Sequence, residues 1–266
     1  MTSGNQCSLY MYGIVRESSR RSFETEGIEG SNVFSIPERD VAAVTHKCGD
    51  EPYQSKEDSV VKGWVKKHQE VLDKLINEYG DLLPSRFNTI FHSTDERSAE
   101  EVVRQWLADN YQSVSDQLDD LAGKKEYGVI IYYNKSLAAE EIAEESSEVA
   151  EMEERIEEMS SGRAYMYKQK LSKLRRQKLS EWLDSREQEF LAEISNVVSE
   201  VQAEDLRSKD EDFPVMLKLS CLLDSECEDV LGEVLEEINE ESKFNVRFTG
   251  PWPPFSFADL GGANGR

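Results

Sequence analysis

The spacing of apolar positions changes several times along the 266-residue chain, and each change marks an element. Leu9-Tyr10-Met11-Tyr12-Gly13-Ile14-Val15 is an unbroken apolar and aromatic run, the pattern of a buried strand. Residues 16–30 are polar with glycines and predict a loop. Val33–Ile36 and Val41–Val44 predict two strands around Pro37, and residues 47–58 a polar connection. From Ser59 the period becomes helical: Val60, Val61, Trp64, Val65, His68, Val71, Leu72, Leu75, Ile76 and Tyr79 recur every three or four residues, and Gly80 stands where a helix C-cap belongs. Leu83-Pro84-Ser85-Arg86-Phe87-Asn88-Thr89-Ile90-Phe91 predicts a turn into a strand, with Pro84 where no backbone N–H is needed. A second helix, capped by Ser93, Thr94 or Asp95, carries Val102, Val103, Trp106, Leu107, Tyr111, Val114 and Leu118 on one face. The order β, β, β, α, β, α predicts an α+β domain over residues 1–122, a ferredoxin-like variant with its helices on one face of the sheet.

Gly123-Lys124-Lys125 predicts the joint to a second α+β domain, residues 123–258. Glu126–Tyr133 is its first strand. Residues 140–158 hold ten glutamates and one arginine with a thin apolar stripe, broken by Gly162. A helix from about Ala164 to Ala203 starts basic, with Lys168, Lys170, Lys173, Arg175, Arg176 and Lys178. The acidic and basic segments pair their charges as a long antiparallel hairpin, each exposed pair contributing only ~0.2–1 kcal/mol. A strand over Phe213–Leu223, a helix over Glu226–Glu241 and a strand over Phe244–Phe248 complete the domain, and residues 259–266 are expected to be a disordered tail.

Charge narrows the function classes. With 54 acidic and 31 basic residues the net charge is −23, which repels nucleic acid. The acids are spread along the chain rather than confined to a terminus, a distribution that favours adaptation to a salty cytoplasm over an acidic interaction tail. No apolar run reaches the ~20 residues that span a bilayer, so no lipid membrane partner is expected. Met1–Gln6 has neither the positive start nor the apolar stretch of a signal peptide, and the expected location is the cytoplasm.

Chemistry is sparse. Cys7, Cys48, Cys221 and Cys227 form no C-x-x-C pair and, with His46, His68 and His92, no zinc spacing; they read as free, mostly buried thiols. No phosphate loop, dinucleotide fingerprint, nucleophile elbow or H-E-x-x-H is present, so no cofactor, metal or catalytic residue is assigned. His68 reads as a core histidine with satisfied nitrogens, His46 as solvated at a strand end, and His92 as a strand-end residue able to line a pocket. A hydrolase built on His92 or the cysteines lacks a constellation. Arg86 lies in an otherwise apolar turn, where a partly buried guanidinium needs a carboxylate or carbonyl; a structural ion pair outweighs a binding role.

The chain closes on Gly250-Pro251-Trp252-Pro253-Pro254-Phe255-Ser256-Phe257. Prolines hold this backbone extended, and its aromatics either seal the second domain as a rigid lid or present a partner contact. Arg86, Phe87, Trp252, Pro253, Pro254 and Phe255 are therefore the candidate partner-binding or structural motif. With this segment, Leu9–Val15, Leu83–Phe91, Lys125–Ile131 and Gly162–Tyr165 run in the order of the GvpF/GvpL family of gas vesicle accessory proteins, which the chain resembles from about residue 8 to 258. Asn88 replaces the family's usual glycine and Phe255 its common tyrosine; Asn88 implies a backbone conformation that asparagine tolerates. The resemblance implies a non-enzymatic, L-type minor component or assembly factor of gas vesicles from a halophilic archaeon. Its implied partners are the hydrophobic shell protein and other accessory proteins. The competing reading is a regulatory protein binding a small ligand on a ferredoxin-like domain.

Overall fold

The computed structural model describes residues 7–204, 213–224 and 226–261. Contacts divide them into two units: residues up to Glu126 together with those from Pro251 onward, and Tyr127–Gly250. The expectations for Met1–Gln6 and Gly262–Arg266 lie outside the described residues.

The first unit is built on β1 (Ser8–Arg16), buried along nearly its whole length. β2 (Ser22–Glu26), β3 (Asn32–Glu38) and β4 (Val41–Cys48) follow, then α1 (Asp58–Tyr79), β5 (Leu83–Pro84) and β6 (Ile90–Phe91). The sheet order is β2-β3-β4-β1-β5, with β6 also on β1. β2 occupies the stretch expected to be loop; its Ser-Phe-Glu-Thr-Glu sequence is too polar to announce an edge strand that is exposed at most positions. β1 and β4 pair antiparallel from Ser8↔Cys48 to Arg16↔Val41, with a shift between Met11 and Gly13. Gly13 faces Pro84 across the next pair. A Cβ on Gly13 would stand 2.6 Å from the Leu83 carbonyl oxygen, so only glycine lets β5 approach this closely.

α2 (Ala99–Asp109) and α3 (Tyr111–Asp120) complete the unit. The cap of α2 is Ser98, not a residue of Ser93–Asp95: the Glu101 N–H donates to its hydroxyl and the Glu101 carboxylate accepts from the Ser98 N–H at 2.8 Å, a capping box. The expected single helix is broken at Asn110, which caps α2. The helices also do not share a face. Ile90 joins the cluster of Val71, Leu72 and Leu75 on α1, while its neighbour Phe91 meets Trp106 of α2 at 5.8 Å. Successive strand residues point to opposite faces, so α1 and α2 cover opposite sides of the sheet.

In the second unit β7 (Lys124–Tyr133) is followed by α4 (Lys135–Glu145), α5 (Ser147–Glu157), α6 (Ser161–Ser195), β8 (Glu200–Ala203), β9 (Val215–Asp224), α7 (Glu228–Glu240) and β10 (Phe244–Trp252). Its sheet runs β10-β7-β9-β8. With α4–α6 counted as one crossover, the second unit runs β-α-β-β-α-β. Tyr127, Val129, Ile131 and Tyr133 alternate into the core against Phe190, Ile194, Leu231 and Leu235. The acidic segment is two helices, because Ser146 ends α4 and accepts the Val149 N–H at the start of α5. Glu148 pairs with Lys178 at 3.2 Å and Glu153 with Arg175, the antiparallel order of a hairpin. α6 ends at Ser195, earlier than expected; Val201 belongs to β8, whose pairing with β9 satisfies the backbone.

Candidate docking site

The Leu83–Phe91 motif folds as a tight turn beside β1. The Ser85 N–H donates to the Tyr12 carbonyl at 2.8 Å, and the Met11 N–H to the Thr89 carbonyl at 2.9 Å. Between these anchors the Thr89 hydroxyl donates to the Arg86 carbonyl at 2.7 Å. Asn88 turns the corner at φ 67°, in the left-handed region it was expected to tolerate. Its side chain then does more than tolerate the turn: Oδ1 accepts the Tyr53 N–H at 2.9 Å and Nδ2 donates to the Tyr53 carbonyl at 3.1 Å. The connection after β4 is thereby fastened to the turn.

Beneath the turn lies a buried aromatic and histidine cluster. His68 faces the Ser85 carbonyl through Nε2 at 3.2 Å and the Tyr10 hydroxyl through Nδ1 at 2.7 Å. A carbonyl only accepts, so Nε2 carries the proton and Tyr10 donates to Nδ1. Both nitrogens of this core histidine are satisfied, as its place on the apolar stripe implied. His46 departs from expectation: it is fully buried, stacks on Tyr10 at 5.0 Å and meets the Tyr53 hydroxyl through Nε2 at 3.0 Å. Its pairing with Val33 places it inside the sheet, not at a solvated end. Burial pushes both imidazoles down to about 4 and the Tyr53 phenol up to about 12. The cluster is uncharged at neutral pH.

The proline-aromatic segment closes onto this same unit. Phe255 stacks on His68 at 6.3 Å and Phe87 meets the same ring edge-on at 6.1 Å. Pro253 and Pro254 are buried. The Ser256 N–H and hydroxyl donate to the two oxygens of buried Glu126 at 2.8 and 2.7 Å. Asp259 exchanges two hydrogen bonds with the Gln117 side chain, so the expected disorder does not begin there. The lid reading is therefore corrected: Phe255 packs on the core of the first unit, not on that of the second.

Of the candidate residues, Phe87 and Phe255 come together at His68. Arg86 is exposed and, among the described residues, has no ion-pair partner, contrary to the structural pair expected for it. Trp252 is exposed at the end of β10. Tyr53 and Glu126 escaped the sequence reading. Tyr53 lies in a polar stretch without period; a lone carboxylate opening an apolar strand was the available signal for Glu126.

One polar group resembles catalytic parts but lacks their order. The Ser8 hydroxyl donates to Asp50 at 2.6 Å and meets His92 Nδ1 at 2.9 Å, while His92 and Asp50 are 4.0 Å apart. Ser8 stands between acid and histidine and is fully buried, so its oxygen is not offered to a substrate. His92 is exposed. All four cysteines are free, Cys221 buried and the others half-buried.

Residues 8–259 match the family described as gas vesicle synthesis protein GvpL/GvpF. The chain belongs to the GvpL/GvpF family. Among curated relatives, gas vesicle protein L of Haloferax mediterranei is 32% identical over 256 residues, covering 92% of this chain and 76% of that protein. Gas vesicle protein L1 of Halobacterium salinarum is 29% identical over 265 residues, covering 95% and 91%. The crystal structure of GvpF from Anabaena superposes with a TM-score of 0.75 over 95% of this chain and 98% of that one, at 20% identity. That likeness extends the shared GvpL/GvpF fold over both units. Membership of the GvpL/GvpF family gives this chain an accessory role connected with gas vesicles.

Proposed function

We propose that this protein is a non-enzymatic, L-type minor component or assembly factor of gas vesicles. It binds the hydrophobic shell protein and other accessory proteins during nucleation, in the cytoplasm and at the vesicle. The observation that carries the proposal is Arg86, exposed and without an ion-pair partner among the described residues, on a turn fixed by backbone and side-chain hydrogen bonds. A guanidinium carried outward on a fixed backbone turn, with no ion-pair partner among the described residues, favours a contact made by another molecule. Trp252, an exposed indole beside two buried prolines, adds an anchor of the type enriched in binding surfaces. The L-type assignment is supported by 32% and 29% identity to halophile proteins named L, against 20% to gas vesicle protein F of Nostoc. The net charge of −23 supports a salt-adapted host. We also read the second unit, on its strand order, as ferredoxin-like.

The deciding experiment is co-purification with the shell protein in molar salt, comparing the wild type with Arg86→Glu and Trp252→Ala. Recovery by the wild type, reduced in both variants, is expected. No recovery of shell protein, together with normal vesicles in a host lacking the gene, overturns the proposal.

A further inference from the structure

A groove of about 460 Å³ runs between α4–α5 and α6 of the second unit. Its apolar walls are Ile142, Ala143, Val149, Leu171 and Leu179, and Lys168, Arg175 and Arg176 stand along its α6 side. We infer that this groove docks an acidic amphipathic helix of a partner protein.

The argument begins with charge. Residues 163–178 carry seven cations and no acid, in a chain of net charge −23. Arg175 is neutralised by Glu153, but Lys168 and Arg176 have no ion-pair partner among the described residues and are exposed. These cations flank an opening whose rim carries part-exposed Ala143 and Leu179 over a buried floor of Ile142, Val149 and Leu171, apolar ground for an amphipathic partner. An acidic partner is repelled by most of this protein and attracted here, so the patch fixes where and in which register it binds.

Length selects a helix. Lys168, Leu171, Ser172, Arg175, Arg176 and Leu179 recur at helical spacing along α6, a stripe of about 16 Å or three turns. Tyr165, 66% exposed, continues the stripe by one turn. A partner helix of the same length offers apolar side chains to the groove and several carboxylates to cations two turns apart. A single-headed amphiphile such as a fatty acid engages only one of those positions. A second copy of this chain brings a second charge of −23, which opposes self-docking.

The test uses the full-length protein at the lowest KCl concentration that preserves its native circular dichroism. The probes are two labelled peptides of about 18 residues, long enough to form helix, with one leucine stripe flanked by glutamates or by lysines. Fluorescence anisotropy is expected to show saturable binding of the glutamate peptide and none of the lysine peptide. The double variant Lys168→Glu/Arg176→Glu is expected to weaken the glutamate peptide by about tenfold or more. Ala143→Phe, which fills the groove without altering charge, is expected to weaken it as well. Equal binding of the two peptides, no binding of the glutamate peptide, or unchanged affinity in both variants overturns the inference. Dodecanoate that binds and is lost in the double variant, with the peptide unbound, assigns the groove to a lipid-like ligand instead. Self-association in sedimentation that the double variant abolishes assigns it to a second copy. The measurement needs no shell protein, so its failure is separate from failure of the gas vesicle proposal.

Discussion

Ser256 places both its backbone N–H and its hydroxyl on the carboxylate of buried Glu126, at 2.8 and 2.7 Å. Hydrogen bonds to a charged acceptor contribute about 1.5–3 kcal/mol each, so this pair is a principal tether of the closing segment. Ser256→Ala removes the hydroxyl and keeps the N–H; Glu126→Leu removes both acceptors. Glu126→Leu is expected to lower the urea midpoint more than Ser256→Ala. It should also admit protease cleavage around Trp252–Phe257. Urea midpoints equal to the wild type's in both variants would show that the tether is unimportant.

Asn88 allows the cost of a turn conformation to be separated from the value of a side chain. At φ 67°, glycine is unstrained and alanine is not. Both substitutions lose the two hydrogen bonds to Tyr53. Asn88→Gly is expected to destabilise by about 1–2 kcal/mol, and Asn88→Ala by roughly 1 kcal/mol more. Chemical denaturation gives the order directly. A glycine variant as stable as the wild type would mean that the Tyr53 contacts contribute nothing.

The two buried histidines set a pH dependence of definite sign. Burial lowers both from an ordinary value near 6.5 to about 4 in the folded chain. The unfolded state therefore binds more protons between these values. Stability is complete above about 6.5 and is lost as pH falls toward 4, by at most roughly 3 kcal/mol per histidine. Urea midpoints at stepped pH should show this slope in the wild type and a shallower one in His68→Gln. An unchanged slope in the variant would remove His68 from the account.

Gly13 was legible as part of a motif but not for its reason. The run Leu9–Val15 announces a buried strand, and the helical period of α1 places His68 and its apolar neighbours on one face. What periodicity could not convey was the partner across the sheet, since the crowding at Gly13 comes from a carbonyl some seventy residues away. Long-range closure hid the other errors too. Phe255 was placed on the wrong core because local sequence carries no record of which unit a crossing segment returns to. Val201 was read as helix because a short apolar stripe fits either period until β9 is there to pair with it. Arg86 was expected to find an acid because its neighbours are apolar, yet the turn directs it to the exterior. Gly13→Ala is expected to destabilise by about 1–3 kcal/mol, since backbone at 2.6 Å has to move to admit the methyl group. A thermal shift measurement is sufficient to check it.

Salt should act in opposite directions on two parts of the molecule. The net charge of −23 repels itself over a screening length of about 30 Å at 0.01 M salt and only about 3 Å at 1 M, so added KCl stabilises the chain as a whole. The α5–α6 hairpin is different, because Glu148–Lys178 and Glu153–Arg175 join opposite charges at an exposed surface. Screening weakens those pairs, each contributing ~0.2–1 kcal/mol at most. The melting temperature is therefore expected to rise with KCl while amide protection in α5, measured relative to β7, falls. A melting temperature independent of salt would remove salt adaptation as the reason for the acid excess. Protection in α5 rising in step with β7 would show that the hairpin is held by its thin apolar stripe, Val149 above all, with the charges setting register alone.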